Sequence, residues 1–258
     1  MPKPNQVREI LHELRAAYEL PEPVILEVMR ETFSEILSRW YGAPMLVHFQ
    51  GDGYEPRFEL YRQGVGEVRQ QEIPAARVQG WNTIDRQIRK HLLDQEMLHA
   101  LFRYKRCERQ AVWGEIIRRM PGGTLYAELS LIHGERVIGT CESRCQGPHE
   151  RNSRALAVGA RRAFWVRKIV PVFDRDAPRI SIFLDRVSKN LPCGLILQML
   201  PPESRQIVLR SRRRIVGARS EIDASEQLPR PLIRALSDEL QEFIKVRVVP
   251  ELRHAGLH

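Results

Sequence analysis

Arginines are concentrated in one stretch of this sequence, where they could bind phosphate groups. Residues 205–219 contain Arg205, Arg210, Arg212, Arg213, Arg214 and Arg219. On a β-strand, alternation would place Arg210, Arg212 and Arg214 on one face, within about 14 Å of each other. Guanidinium groups in such a row suit the phosphates of a nucleic acid. The alternative is a solvated strand face, and we favour phosphate binding because Glu203 and Glu221 are the only acids nearby in the sequence.

A second group of residues mixes cations with aromatic rings. Its members, within residues 161–168, are Arg161, Arg162, Phe164, Trp165, Arg167 and Lys168. Cations beside an exposed ring can hold phosphates while the ring stacks on an unpaired base. Because neighbouring strand residues point to opposite faces, only one of Phe164 and Trp165 can enter a core. The other ring is then either a stacking platform or a packing contact with a neighbouring domain.

Soft metal ligands and catalytic motifs give a weaker signal. Cys141, Cys145 and His149 follow each other at intervals of four residues, and Cys107 and His133 could complete a zinc site. Common zinc modules present Cys-x-x-Cys pairs, so we interpret the cysteines as reduced thiols and predict no metal or other cofactor. The sequence contains no nucleophile motif, phosphate-binding glycine loop or carboxylate cluster with metal-ligand spacing. We therefore predict that the protein is not an enzyme.

Composition favours a polyanionic partner. The 258 residues include 41 Lys and Arg against 32 Asp and Glu, giving a formal charge of +9. This excess favours salt-sensitive association with nucleic acid. No apolar run approaches the roughly 20 residues of a membrane helix, and the first residues lack the apolar core of a secretory signal. These features predict a cytoplasmic protein without a membrane partner.

Apolar periodicity predicts the elements that carry these residues. Helical spacing over 7–18 and 24–40, followed by three short strands within 45–72, predicts a small sheet capped by two helices. An amphipathic helix over 83–105 ends this first domain, 1–105. Five strand-like runs predict an OB-type β-barrel as the second domain, 106–186; they cover 111–118, 123–131, 135–141, 162–173 and 179–184. Residues 187–258 follow as a third unit, with helices over 188–199 and 231–246 and strands over 206–213 and 219–222. The predicted class is an elongated, multi-domain α+β protein.

Several strings of the sequence resemble the bacterial NusA transcription elongation and termination factors. Residues 20–27 are similar to the opening of the NusA N-terminal domain, and residues 83–89 to the long helix that leads into its RNA-binding barrel. Residues 159–170, the loop to Pro178, residues 180–184 and then Ser188-Lys189 look like the closing hairpin of that barrel and its exit helix. Residues 208–222 are similar to the first strands of the first KH module that follows. The likeness therefore extends, in short strings, over most of the chain.

The resemblance implies a non-catalytic factor that binds RNA polymerase and nascent, single-stranded RNA and alters pausing, termination or antitermination. Its polymerase-binding surface would be the polar outer side of the second helix; these residues are Arg30, Glu31, Ser34, Glu35 and Arg39. RNA would contact the barrel and an incomplete KH-like unit at residues 187–258. A KH module grips RNA with a Gly-x-x-Gly loop, and the sequence after Pro202 contains none.

Two rival functions follow from the same residues. One is a stand-alone RNA- or DNA-binding module that acts without polymerase, in plasmid or ribosome biology. The other is an enzyme with a nucleic-acid substrate, for which the sequence offers no acid–base or metal set. Copurification with core RNA polymerase separates the first rival from the NusA-like function.

Overall fold

The structure, a computed structural model, describes residues 5–50, 55–63, 68–74, 77–131, 136–151, 153–173, 178–204 and 206–253. These residues form five α-helices and three β-sheets, one of them a closed barrel, so the predicted α+β class is confirmed. The chain divides into two compact units. The first contains residues 1–100 and 173–179, and the second contains residues 101–172 and 180–258. No helix in the described part of the chain is long and apolar enough to cross a membrane.

The first unit contains two helices packed on an antiparallel sheet. Its helices and strands are α1 (Asn5–Ala17), α2 (Glu22–Tyr41), β1 (Met45–Gln50), β2 (Glu55–Gln63) and β3 (Val68–Ile73), with the sheet in the order β1-β2-β3. Pro21 precedes α2, and Gly42 ends it with the left-handed φ of 63° that glycine adopts at low cost. The apolar face of α2, which includes Phe33 and Leu37, is buried against Phe58 of β2. Helix α3 (Trp81–Lys105) follows the sheet.

The second unit contains a barrel built from the five predicted strands, apart from the strand-end residues Phe173, Pro178 and Arg179, which belong to the first unit. The five strands are β4 (Ala111–Arg119), β5 (Leu125–Ser130), β6 (Arg136–Cys141), β7 (Arg161–Phe173) and β8 (Pro178–Asp185), closed in the order β4-β5-β6-β8-β7. β6 and β8 pair in parallel, whereas β5 is antiparallel to β4 and β6, and β7 is antiparallel to β4. Alternating apolar residues such as Leu125, Ala127 and Leu129 point inward and fill the core.

A three-stranded sheet and two helices complete the second unit. They are α4 (Leu191–Met199), β9 (Leu209–Ile215), β10 (Arg219–Ala224), α5 (Arg230–Leu240) and β11 (Phe243–Val248). The central strand β10 is antiparallel to β9 and parallel to β11, and α5 makes the crossover. The inner face of this sheet shares one core with α4, α5 and the barrel residues Ala111 and Ala163. The barrel and the C-terminal sheet are thus packed together.

One predicted element is wrong. The sequence predicts a helix over 231–246, but α5 ends at Leu240 and the following residues form β11. Ile244 and Val246 face the core while Lys245 and Arg247 face solvent, which is the two-residue period of a strand. The helical spacing of Leu232, Leu236 and Leu240 does not continue into this alternating segment.

Gln241 provides a stability test of the end of α5. It follows the helix with a left-handed φ of 53°, and its backbone N–H donates to the Ser237 carbonyl. A side chain in that conformation costs about 1–2 kcal/mol, more than the roughly 0.5–1 kcal/mol that glycine loses through its greater freedom in the unfolded chain. We expect Gln241→Gly to raise the free energy of unfolding by about 0.5–1 kcal/mol in urea denaturation.

The matched control is Ala235→Gly, inside the same helix. Ala235 is exposed, and glycine in a helix interior lowers stability by roughly 0.8–1 kcal/mol relative to alanine. Opposite signs for the two variants are therefore expected. A loss of stability in both would show that the left-handed backbone at Gln241 is not strained.

Candidate nucleic-acid interface

The outward face of the C-terminal sheet carries a strong excess of positive charge. Ser220, Ile222 and Ala224 of β10 are buried, so the alternate residues point away from the core. We call these outward residues of the three strands the basic sheet face. It comprises Arg210, Arg212, Arg213 and Ile215 of β9, Arg219, Glu221 and Asp223 of β10, and Phe243, Lys245 and Arg247 of β11. Six cations therefore accompany two carboxylates.

A β-bulge in β9 decides which arginines belong to this face. Glu221 pairs with Arg213 and the next residue, Ile222, pairs with Ser211, which leaves Arg212 as the extra residue of β9. A bulge interrupts the alternation of a strand. The side chain of Arg212 is 50% exposed, but that of Arg214 is only 3% exposed. The prediction that Arg210, Arg212 and Arg214 share one face is therefore wrong, and Arg213 takes the outward place expected of Arg214.

Arg214 is held inside the fold by an acid that lies 28 residues further along the chain. Its guanidinium donates to both carboxylate oxygens of Glu242, at 2.8 to 3.1 Å, and to the carbonyl of Ser188. Glu242 also accepts hydrogen bonds from the Ser220 hydroxyl and the Gly217 N–H. Its carboxylate thus neutralises Arg214, which we remove from the candidate interface.

The buried Arg214–Glu242 pair predicts a loss of stability in acid. Burial by itself would raise the pKa of Glu242, but the hydrogen bonds and charge of Arg214 outweigh it and hold that pKa below its ordinary value. Because the unfolded pKa is about 4.3, the pair stabilises the fold above that pH. The contribution is lost as the pH falls through the lower, folded pKa.

We therefore expect Glu242→Gln to be less stable than the wild type at pH 7, with the difference shrinking below about pH 4. Urea denaturation from pH 7 to pH 3 measures this difference. Glu203→Gln is the matched control, since Glu203 is exposed and should leave the pH profile unchanged. A constant difference between Glu242→Gln and wild type at all pH values would contradict the prediction.

Not all cations of the basic sheet face are equally available. Asp223 accepts hydrogen bonds from Arg247 at 3.0 and 3.2 Å and lies 3.8 Å from Arg212. Glu221 pairs with Arg219 at 2.9 Å. The other three cations form no ion pair with any residue that the structure describes; they are Arg210, Arg213 and Lys245. The face thus retains unpaired positive charge for a polyanion.

The second predicted patch is divided by the barrel wall. Phe164 is fully buried in the barrel core, while Trp165 points the other way and packs, half-buried, against the core shared with the C-terminal sheet. Arg161, Arg167 and Lys168 are exposed. The guanidinium of Arg167 lies over the Phe183 ring, 5.9 Å from its centre. Packing against a neighbouring element is therefore observed for Trp165, and the half-buried ring leaves part of its surface uncovered.

Arg162 belongs to a buried ionic network that the sequence does not reveal. At its centre Arg186, 1% exposed, donates to both oxygens of Glu150 and, at 2.9 Å, to Oε1 of Glu239. Arg162 donates to the other oxygen of Glu239 at 3.1 Å and to the Ala155 carbonyl. These bonds join the barrel to α5. They also occupy the guanidinium of Arg162, which we remove from the candidate interface.

The residues predicted to bind polymerase lie together on the outer side of α2. Arg30, Glu31, Glu35 and Arg39 are exposed and Ser34 is half-buried. Arg39 pairs with Glu35 at 2.9 Å, and Arg30 pairs with Glu27. The surface is therefore polar and of mixed charge, and its docking role stays a prediction.

The candidate zinc ligands that the structure describes do not form a metal site. Cys107, Cys141 and Cys145 are buried in the barrel core, and burial raises the pKa of each thiol. Nε2 of His149 lies 3.3 Å from the Leu240 carbonyl instead, and His133 lies outside the described residues. Within the described part of the chain, no three His, Cys, Asp or Glu side chains are arranged to hold a metal.

The residues that remain for nucleic-acid binding are mainly those of the basic sheet face. Lys245 and Arg247 were missed by sequence reasoning because their segment was assigned to a helix. The alternation of apolar and basic residues in 243–248 was the available signal. Neither a protein-family model nor a curated protein matches the sequence.

Proposed function

We propose that this protein binds single-stranded RNA on the basic sheet face and performs no chemical step on it. The observation that carries the proposal is the charge of that face, with six cations against two carboxylates on three adjacent strands. Cations spread over a sheet suit a phosphate backbone, whose counterions are released on binding. The Phe243 side chain, 65% exposed among these cations, offers a ring for an unpaired base.

The surrounding folds support the same proposal. The order β4-β5-β6-β8-β7 is compatible with an OB-type Greek-key barrel, a fold that binds oligonucleotides. The segment β9-β10-α5-β11 supports a KH-like unit with a single helix between its last two strands. Since its sequence contains no Gly-x-x-Gly, we place RNA on the basic sheet face and not at such a loop.

Through the resemblance to NusA, we extend the proposal to a cytoplasmic factor that docks on RNA polymerase and alters pausing, termination or antitermination. The exposed polar side of α2 would supply the docking surface. Tethering raises the local concentration of the nascent transcript, so that weak electrostatic binding becomes effective. Without polymerase, the basic sheet face would serve the rival function of a stand-alone RNA-binding module.

The test combines polymerase retention with RNA binding. The full chain, immobilised at low salt, is expected to retain core RNA polymerase and to bind an unstructured RNA with an affinity that falls steeply with salt. Arg30→Glu/Arg39→Glu should release polymerase without changing RNA affinity. RNA binding without polymerase retention would leave only the stand-alone function. An absence of salt-sensitive RNA binding would overturn the proposal.

A further inference from the structure

A cleft of about 930 Å³ lies inside the second compact unit, between the barrel and the C-terminal sheet. The residues before β4, the middle of β7, the start of α4 and the start of β9 each contribute side chains to it. The polar and aromatic ones used below are Arg109, Trp165, Lys189, Asn190 and Arg210. No aspartate or glutamate is among the residues that line the cleft.

Three cations line the cleft, whose lining offers them no counterion. Glu108, outside that lining, is an electrostatic neighbour of Arg109. Arg109, Lys189 and Arg210 are all exposed, and none forms an ion pair with a residue that the structure describes. Elsewhere in this unit, arginines such as Arg186 and Arg214 are satisfied by buried carboxylates. The cleft is therefore a place where an anion from outside the chain would be favoured.

Trp165 gives the cleft an aromatic wall. Helix α4 approaches this ring closely at Gly194, where a Cβ atom would lie 2.9 Å from the indole. The indole N–H has no acceptor, and the Asn190 amide no side-chain partner, among the described residues. A ring, hydrogen-bonding groups and cations around one space match three features of a nucleotide: the flat face of its base, the polar edge of that base and the phosphate.

Arg109 occupies its place at the cost of an unfavourable backbone conformation. Its φ is 59°, in the left-handed region that glycine prefers. The conformation is fixed by two hydrogen bonds to β7, from the Arg109 N–H to the Val166 carbonyl at 2.8 Å and from the Val166 N–H to the Gln110 carbonyl at 2.9 Å. Such strain clusters at functional sites, and it also occurs at helix ends, as at Gln241. Packing alone would be served as well by glycine.

We propose that this cleft binds one unpaired nucleotide of the RNA strand that lies on the basic sheet face. Arg210 belongs to both surfaces, so the strand passes from the sheet into the cleft. The base stacks on Trp165, and Arg109 and Lys189 hold its phosphate. The inference rests on the proposed function and adds a defined site to it. A free nucleotide presents the same groups, so the test distinguishes it from a strand.

The experiment follows tryptophan fluorescence while the full chain is titrated with a single-stranded tetranucleotide, with each nucleoside triphosphate, or with inorganic phosphate. The tetranucleotide is expected to quench the wild type saturably and more tightly than the other two probes. Trp165→Phe should lose the saturable change, although Trp40, Trp81 and Trp113 remain. Equal quenching in Trp165→Phe would overturn the proposal.

Two further variants keep the test decisive if Trp165→Phe does not fold. Arg109→Gly and Lys189→Ala should each raise the Kd of the tetranucleotide about tenfold, the effect of one charge-assisted hydrogen bond. Arg109→Gly should do so with an unchanged or higher Tm, because it relieves the left-handed backbone. The control is Arg118→Ala. Arg118 is an exposed cation outside the cleft lining, so this variant should bind the tetranucleotide with the wild-type Kd.

Failure of this inference differs from failure of the proposed function. If Arg109→Gly and Lys189→Ala bind the tetranucleotide like the wild type, the cleft proposal is wrong, whether or not the protein binds long RNA. If triphosphates bind and the tetranucleotide does not, the cleft is a free-nucleotide site and the strand proposal is wrong. If long RNA shows no salt-sensitive binding in the wild type, it is the proposed function that fails.

Discussion

Arg186→Met is expected to lower the free energy of unfolding of the second unit by about 3–5 kcal/mol, the usual cost of leaving buried charges unpaired. Arg186 is 1% exposed, and its partners Glu150 and Glu239 are 3% and 7% exposed. The methionine would leave both carboxylates without their shared cation. It would also remove the donor to the Ala163 carbonyl. Urea denaturation, fitted with two transitions if the units unfold separately, measures the loss.

Arg162→Met is the matched control for this experiment. Arg162 contacts the same Glu239, but its side chain is 26% exposed, so we expect a smaller loss of roughly 1 kcal/mol. Arg186→Met combined with Glu150→Gln and Glu239→Gln should recover part of the stability, because no buried charge then lacks a partner. Equal losses for Arg186→Met and Arg162→Met would contradict the assignment of Arg186 as the centre of the network.

The second large effect is expected on RNA binding. Changing Arg212, Arg213 and Lys245 together to alanine removes three outward cations of the basic sheet face. If each contacts one phosphate, the slope of log affinity against log salt should become shallower by about 2, at roughly 0.7 per contact for a single strand. Arg247 remains to pair with Asp223. Affinity for an unstructured RNA, measured from low to high salt, gives the slope.

A control variant with the same net charge distinguishes binding at the basic sheet face from nonspecific electrostatic attraction to the whole protein. Arg118, Arg154 and Arg234 are exposed residues outside the basic sheet face, and their joint change to alanine also removes three positive charges. This variant should keep the wild-type slope. Equal changes of slope in the two triple variants would contradict the assignment of the face. Arg214 is left intact in both, because its loss would unpair the buried Glu242 and reduce stability.

Local patterns in the sequence determine most of the secondary structure. Helices α1 and α2 follow from three- to four-residue apolar spacing, and strands such as β1 and β5 follow from two-residue apolar spacing. Such spacing depends only on which residues face a core. The exception is β11, which local spacing alone does not identify as a strand. Residues 243–248 become a strand because they pair with β10, and this pairing depends on residues about 24 positions earlier.

The sequence also determines that the C-terminal third is rich in arginine, but only the tertiary structure decides which arginines face solvent. Three carboxylates decide this, and they are distant in sequence: Glu242 neutralises Arg214, and Glu150 and Glu239 enclose Arg186 and engage Arg162. The bulge at Arg212 likewise exists only in the pairing of β9 with β10. An arginine's availability depends on whether folding brings an acid within a few ångströms, because a buried charge must be paired. That distance is set by the tertiary packing of the second unit, and local spacing does not contain it.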